Sequence, residues 1–101
     1  MNAYTIQYDD GFWQDIKNVI NWYDAISPDI GERFLEEFWF AESRIAHNPN
    51  AFSKVTHSGF RRVLLKKSPY KIYFKVKDKA IFIVGLIHAA RSKRYVKKRL
   101  K

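Results

Sequence analysis

The chain of 101 residues contains no cysteine. That excludes disulfides, thiolate metal ligands and a cysteine nucleophile, and it fits a reducing, cytoplasmic setting. Glycine and proline are scarce, at four and three residues. There is no Gly-rich phosphate loop and no Pro-rich linker. Long apolar runs are also missing. The longest, Ala80 to Ile87, has eight residues, against about twenty for a membrane-spanning helix, so no membrane role is expected. The opening MNAYTIQYDD has neither the basic nor the apolar region of a signal peptide. His47, His57 and His88 lie far apart and have no carboxylate cluster nearby in sequence. No metal site and no cofactor is expected from that pattern.

Acidic residues all but stop halfway along the chain. Residues 1–53 carry nine acids and three bases, a net charge of −6. Residues 54–101 carry sixteen bases and one acid, Asp78, a net charge of +15. Such segregation calls for an anionic partner. What the chain has in plenty is apolar and aromatic residues, 47% and 17%. That is enough for one packed domain spanning residues 1–101.

Residues 3–8 alternate, with Tyr4, Ile6 and Tyr8 on one side, and predict a short first strand. Asp9 and Asp10 offer an N-cap. Phe12, Ile16, Val19, Tyr23 and Ile26 share one helix face, which Trp13 and Ile20 widen. Ser27-Pro28 ends that pattern and opens a second helix, with Ile30, Phe34, Phe38, Ala41 and Ile45 on its face. The joint is short enough to force an antiparallel helical hairpin. Asn48-Pro49-Asn50 ends it. The paired carboxylates Asp9/Asp10 and Glu36/Glu37 read as solvated charge.

After a loop closed by Gly59, residues 60–67 form the next predicted strand. Ser68-Pro69 is a turn. Tyr70 to Lys77 alternates cleanly, with Tyr70, Ile72, Phe74 and Val76 on one face and Lys71, Tyr73, Lys75 and Lys77 on the other. Asp78-Lys79 is a hairpin turn, and Ala80 to His88 a buried central strand. In the tail, RSKRYVKKRLK, Ser92 can cap a short helix with Val96 and Leu100 on one side; the alternative is a frayed basic tail. The expected fold is α+β. An N-terminal strand and an antiparallel helical hairpin pack on one face of a small, mainly antiparallel sheet, in the order β-α-α-β-β-β with a basic tail.

The candidate functional residues are basic. Arg62 and Lys66 share one side of their predicted strand, and Lys71, Lys75 and Lys77 one side of the next. If these sides coincide, the sheet has one cationic face for phosphates, with Arg61 adjacent. Clustered cations repel, so stability alone would not select them. His88 closes the apolar strand and can exchange a proton near neutrality. Arg91 can grip a phosphate with its planar fork. Tyr95 can stack on a base or donate a proton.

Four motifs then occur in order: Asn48-Pro49, Arg61-Arg62, Pro69-Tyr70-Lys71-Ile72-Tyr73 and His88-Ala89-Ala90-Arg91. Together, across the whole chain, they resemble the RelE/ParE superfamily of type II toxin–antitoxin toxins, the plasmid stabilisation proteins. The resemblance implies a toxin with a cognate antitoxin partner. The antitoxin would wrap the chain over an apolar strip between the sheet edge and the helical hairpin. The RelE branch implies ribosome-dependent mRNA cleavage, an endoribonuclease activity. There Arg62, Lys71 and Arg91 would stabilise the phosphate and His88 or Tyr95 would donate the proton, while Arg61, Lys66 and Lys75, taken from the basic strands themselves, would bind the nucleic acid. The ParE branch implies DNA gyrase as the target, bound without nuclease chemistry. Leu64 stands where the RelE pattern commonly has lysine, and Ala89 where it has arginine. A non-toxic nucleic-acid-binding domain needs only the basic half.

Overall fold

A computed structural model of the chain describes residues 4–100. The elements follow in the order β1 (Thr5–Tyr8), α1 (Asp10–Ile26), α2 (Pro28–His47), β2 (Arg61–Leu64), β3 (Tyr70–Lys77), β4 (Ala80–His88) and α3 (Lys93–Arg99). A single 3₁₀ turn, Pro49–Ala51, follows α2. The four strands form one sheet in the order β1-β4-β3-β2. β1 runs parallel to β4 along one edge, and the other pairings are antiparallel. The α+β architecture expected from the sequence is the observed one.

The helical hairpin covers one face of this sheet. Phe12, Ile16 and Val19 from α1 and Phe34, Phe38, Ala41 and Ile45 from α2 meet Val63, Ile72, Phe74, Ile81, Ile83 and Leu86. Each fully buried side chain of this size stabilises by about 1.5–3 kcal/mol relative to exposure. The helices approach closely near their joint, where a Cβ on Gly31 would sit 2.0 Å from Asp24 Oδ1. The apolar stripe is narrower than the sequence suggests. Ile26 is exposed at the end of α1, and Trp13 lies half-exposed against Tyr8 and Phe12.

β4 feeds two cores because it carries a bulge. Tyr73 pairs with Gly85, but Phe74 pairs with Ile83, leaving Val84 as the extra residue. The side-chain phase therefore flips within the strand. Ile81, Ile83 and Leu86 all reach the helical layer. Ile87 reaches the opposite face, where Phe60, Tyr73 and Leu100 form a second small core with Val84, Tyr95 and Val96 against it. The basic tail is a helix that packs on that second face. Ser92 Oγ caps it by accepting from the Tyr95 amide at 3.1 Å.

The strand expected over residues 60–67 is shorter, ending at Leu64. The Leu65 amide still reaches the Tyr70 carbonyl at 2.9 Å. Beyond it, Glu37 of α2 accepts from the Lys67 amide and from Ser68 Oγ, which draws the turn toward the helix. Glu37 is thus a turn-holding group rather than solvated charge.

Candidate nucleic-acid interface

The sheet face opposite the helical hairpin is open between the loop 55–58 on one side and α3 on the other. The result is a broad cleft of about 1350 Å³. Arg62 and Lys71 project from the strands; Arg91, Lys93, Arg94, Lys97 and Lys98 come from the β4–α3 turn and α3. No carboxylate lines the cleft among the described residues, while His57 and His88 both do. Among the described residues, then, seven cations and no carboxylate line a concave surface, which concentrates positive potential there.

Strand register explains which basic residues take part. Arg62 lies opposite Tyr73, and so shares the open face with Lys71. Arg61 lies opposite Phe74, whose ring is in the helical core. Its guanidinium donates to the Phe52 carbonyl and, at 3.5 Å, to the Asn50 carbonyl, tying down the loop after α2. Lys66 falls beyond the end of β2 and borders a separate groove beside α2. Lys75 lies over the Phe60 ring at 5.1 Å and does not line the cleft. The expected binding trio of Arg61, Lys66 and Lys75 therefore stands apart from the cleft. Arg62, Lys71, His88 and Arg91 are brought together.

After the bulge, His88 pairs with Tyr70, on the helical side of the sheet. Its ring meets Tyr70 edge-on at 5.2 Å, and it reaches the cleft as a rim residue at the strand end. Its Nδ1 accepts from the Ala90 amide at 3.0 Å, so the neutral ring carries its proton on Nε2. That leaves Nε2–H as the donor. Tyr70 is itself partly buried against Tyr23 and Phe34. Burial pushes its hydroxyl pKa up, with Tyr23 adding to the effect and Arg91 opposing it.

Tyr95 does not line the cleft. It packs on the second core, and the Arg91 guanidinium stacks over its ring at 4.4 Å. That contact orients Arg91. Four cleft cations, Lys93, Arg94, Lys97 and Lys98, were not expected as site residues. Their signal was available: on a helix capped by Ser92, the pairs 93/97 and 94/98 each lie one turn apart and form one basic stripe beside the apolar pair Val96 and Leu100. His57 gave no such signal, because only the folded loop brings it to the cleft.

At the base of α3, Arg99 forms a bidentate ion pair with Asp15 of α1, at 3.0 and 2.7 Å. The Asp15 hydrogen bond holds the Arg99 pKa above its ordinary value against the opposing effect of burial, with the Tyr95 hydroxyl adding to it.

No protein-family model matches the chain, and no curated protein matches it. Solved structures do match in fold. A chain of the chromosomal ParDE TA system from P. aeruginosa superposes with a TM-score of 0.75 at 16% identity, covering 87% of this chain and 98% of that one. The isolated E. coli RelE toxin superposes with a TM-score of 0.65 at 18% identity, covering 95% of each chain. A mutant of E. coli toxin RelE in the free state gives 0.59 at 17% identity, covering 98% and 99%. The chain has the fold of the RelE/ParE toxins.

Proposed function

We propose that this chain is the toxin of a type II toxin–antitoxin pair and that its cationic cleft cuts mRNA in the manner of RelE. The observation that carries this reading is the cleft itself, lined among the described residues by seven cations and no carboxylate, with a histidine at its rim whose Nδ1 accepts from the Ala90 amide. The chemistry needed is attack of a 2′-hydroxyl on the adjacent phosphate. Arg62, Lys71 and Arg91 offset the charge that builds on the phosphorane. The 2′-hydroxyl proton passes to solvent, and His88, in the imidazolium form with Nδ1 released from the Ala90 amide, donates from Nε2 the proton that the departing 5′-oxygen takes up. Tyr95 acts through Arg91, beneath whose guanidinium it lies.

The test is translation in vitro of a defined mRNA with the purified chain, followed by primer extension. The reading expects breaks within the ribosomal A-site codon. It also expects His88→Ala to slow them by roughly 10²–10⁴, the usual worth of a general acid. Intact mRNA with normal protein output overturns it.

A second reading, binding of DNA gyrase without nuclease chemistry, draws support from the TM-score of 0.75 to the ParDE chain. Inhibition of gyrase supercoiling by pure protein, with mRNA left intact, would select it.

Both readings include an antitoxin. The groove between α2 and the free edge of β2 suits it, because Phe40 and Leu64 stand 67% and 55% exposed there and its four bases, Arg33, Arg44, Lys66 and Lys67, outnumber its two acids, Glu36 and Glu37. An amphipathic acidic segment would match that lining. Elution of the chain alone after co-expression with its neighbouring small gene product counts against this partner.

A further inference from the structure

α3 carries four of the seven cleft cations, yet it is poorly built to stand alone. It has seven residues, and isolated helices shorter than about 12–15 residues are marginal in water. Lys93 and Lys97 repel across one turn, as do Arg94 and Lys98. Lys93 and Arg94 also sit in the first turn, where the helix dipole disfavours positive charge. Something outside the helix must hold it.

Apolar packing supplies part of the hold. Tyr95, Val96 and Leu100 sit on Phe60, Tyr73 and Ile87. A polar anchor supplies the rest, and it comes from α1. β1 pairs with β4 only as far as Ile83, so the β4 edge beyond the bulge lacks a neighbouring strand. Asp15 fills that gap. Its Oδ2 accepts from the Leu86 amide at 2.9 Å and from Arg99 Nη2 at 2.7 Å, and its Oδ1 accepts from Arg99 Nη1 at 3.0 Å. The pair is largely buried, with side chains 14% and 26% exposed. Gly85 makes room for it: a Cβ there would stand 3.4 Å from Arg99 Nη2 and 3.6 Å from Asp15 Oδ2. A bidentate guanidinium–carboxylate pair fixes direction as well as distance. One carboxylate thus joins α1, the bulged edge of β4 and the last turn of α3.

We propose that Asp15 is a positioning residue for the cleft: by clamping Arg99 it holds the α3 wall, and with it Lys93, Arg94, Lys97 and Lys98, against the sheet for binding a polyanion. This rests on the reading of the cleft as a nucleic-acid site. Neither Asp15 nor Arg99 lines the cleft, so a change at either removes no phosphate contact directly.

The experiment compares the full-length wild type with Asp15→Asn, Arg99→Ala and Arg99→Lys. It reads amide hydrogen exchange across α3, thermal stability, and binding of a fluorescent single-stranded 12-mer RNA as salt is varied. Arg99→Ala leaves the Asp15–Leu86 bond in place and so guards against Asp15→Asn failing to fold. The expected result is rapid exchange in α3 with the helical core still protected, and RNA binding about tenfold weaker or more. The log–log salt slope should become shallower by up to about 2.8, from four lost contacts at about 0.7 each. Arg99→Lys, which keeps charge but not the fork, should fall between wild type and Arg99→Ala. Unchanged α3 protection or an unchanged salt slope in Arg99→Ala overturns the positioning role. If the wild type itself binds no RNA, the reading of the cleft falls, and hydrogen exchange alone still reports whether the clamp holds α3.

Discussion

Removing the α3 cations separates function from stability more sharply than any core substitution. The variant is Arg94→Ala/Lys97→Ala/Lys98→Ala. Each side chain lines the cleft and is exposed, so no core contact is lost. Alanine has the highest helix propensity, and the change relieves the 94/98 and 93/97 repulsions. Stability should hold or rise slightly. Binding should behave in the opposite way. If all seven cleft cations contact phosphates, a single-stranded ligand gives a salt slope of about −4.9, or about a 900-fold loss of affinity between 50 and 200 mM salt. With four cations left, the slope becomes about −2.8 and the loss about 50-fold. Fluorescence anisotropy over that salt range measures both slopes, and a melting curve checks the fold. A slope unchanged within about 0.5 would refute the assignment of the α3 wall to phosphate contact.

Arg61→Ala should cost about 1.5 kcal/mol, as the charge-assisted bonds to the Phe52 and Asn50 carbonyls are lost, while RNA affinity changes by less than about twofold; a large loss of affinity in a stable variant would return Arg61 to the binding surface. Phe38→Ala, at a fully buried position between the helices and the sheet, should cost about 3–5 kcal/mol in urea unfolding, and a cost below about 1 kcal/mol would contradict the packing described. Burial raises the Glu42 pKa above its ordinary 4.5, and its Oε2 is buried without a hydrogen-bond partner. The folded state therefore holds that proton more tightly than the unfolded state, and stability falls as pH rises from 4.5 through the raised value. Glu42→Gln should be more stable than wild type at pH 7, with the advantage gone below pH 4.5; an advantage that does not vary with pH would remove the charge-burial explanation.

Local patterns carried most of the fold. β3 and β4 begin and end where alternation and turn residues place them, and Ser27-Pro28 divides the helices as its chemistry demands. The errors arise where tertiary context overrides a local pattern. Two-residue periodicity puts Arg62 and Lys66 on one side, but Glu37 draws the turn away and β2 stops before Lys66. The Val84 bulge reverses phase along β4, so a continuous apolar run serves two cores, and His88 emerges at the rim rather than over the floor of the cleft. The contact between Asp15 and Arg99 spans 84 positions, and neither residue belongs to a motif that would pair them. Arg61 and Arg62 are adjacent in sequence and face opposite sides of the sheet, one holding a loop and the other lining the cleft.

The central claim is that this cleft is the working surface of a toxin. Induced expression from a tightly repressed promoter tests it most directly, with wild type set beside Arg62→Ala/Lys71→Ala/Arg91→Ala and protein levels matched by immunoblot. Growth arrest by the wild type and normal growth with the triple variant are expected. Normal growth with the wild type, or equal arrest by a folded triple variant, would contradict it.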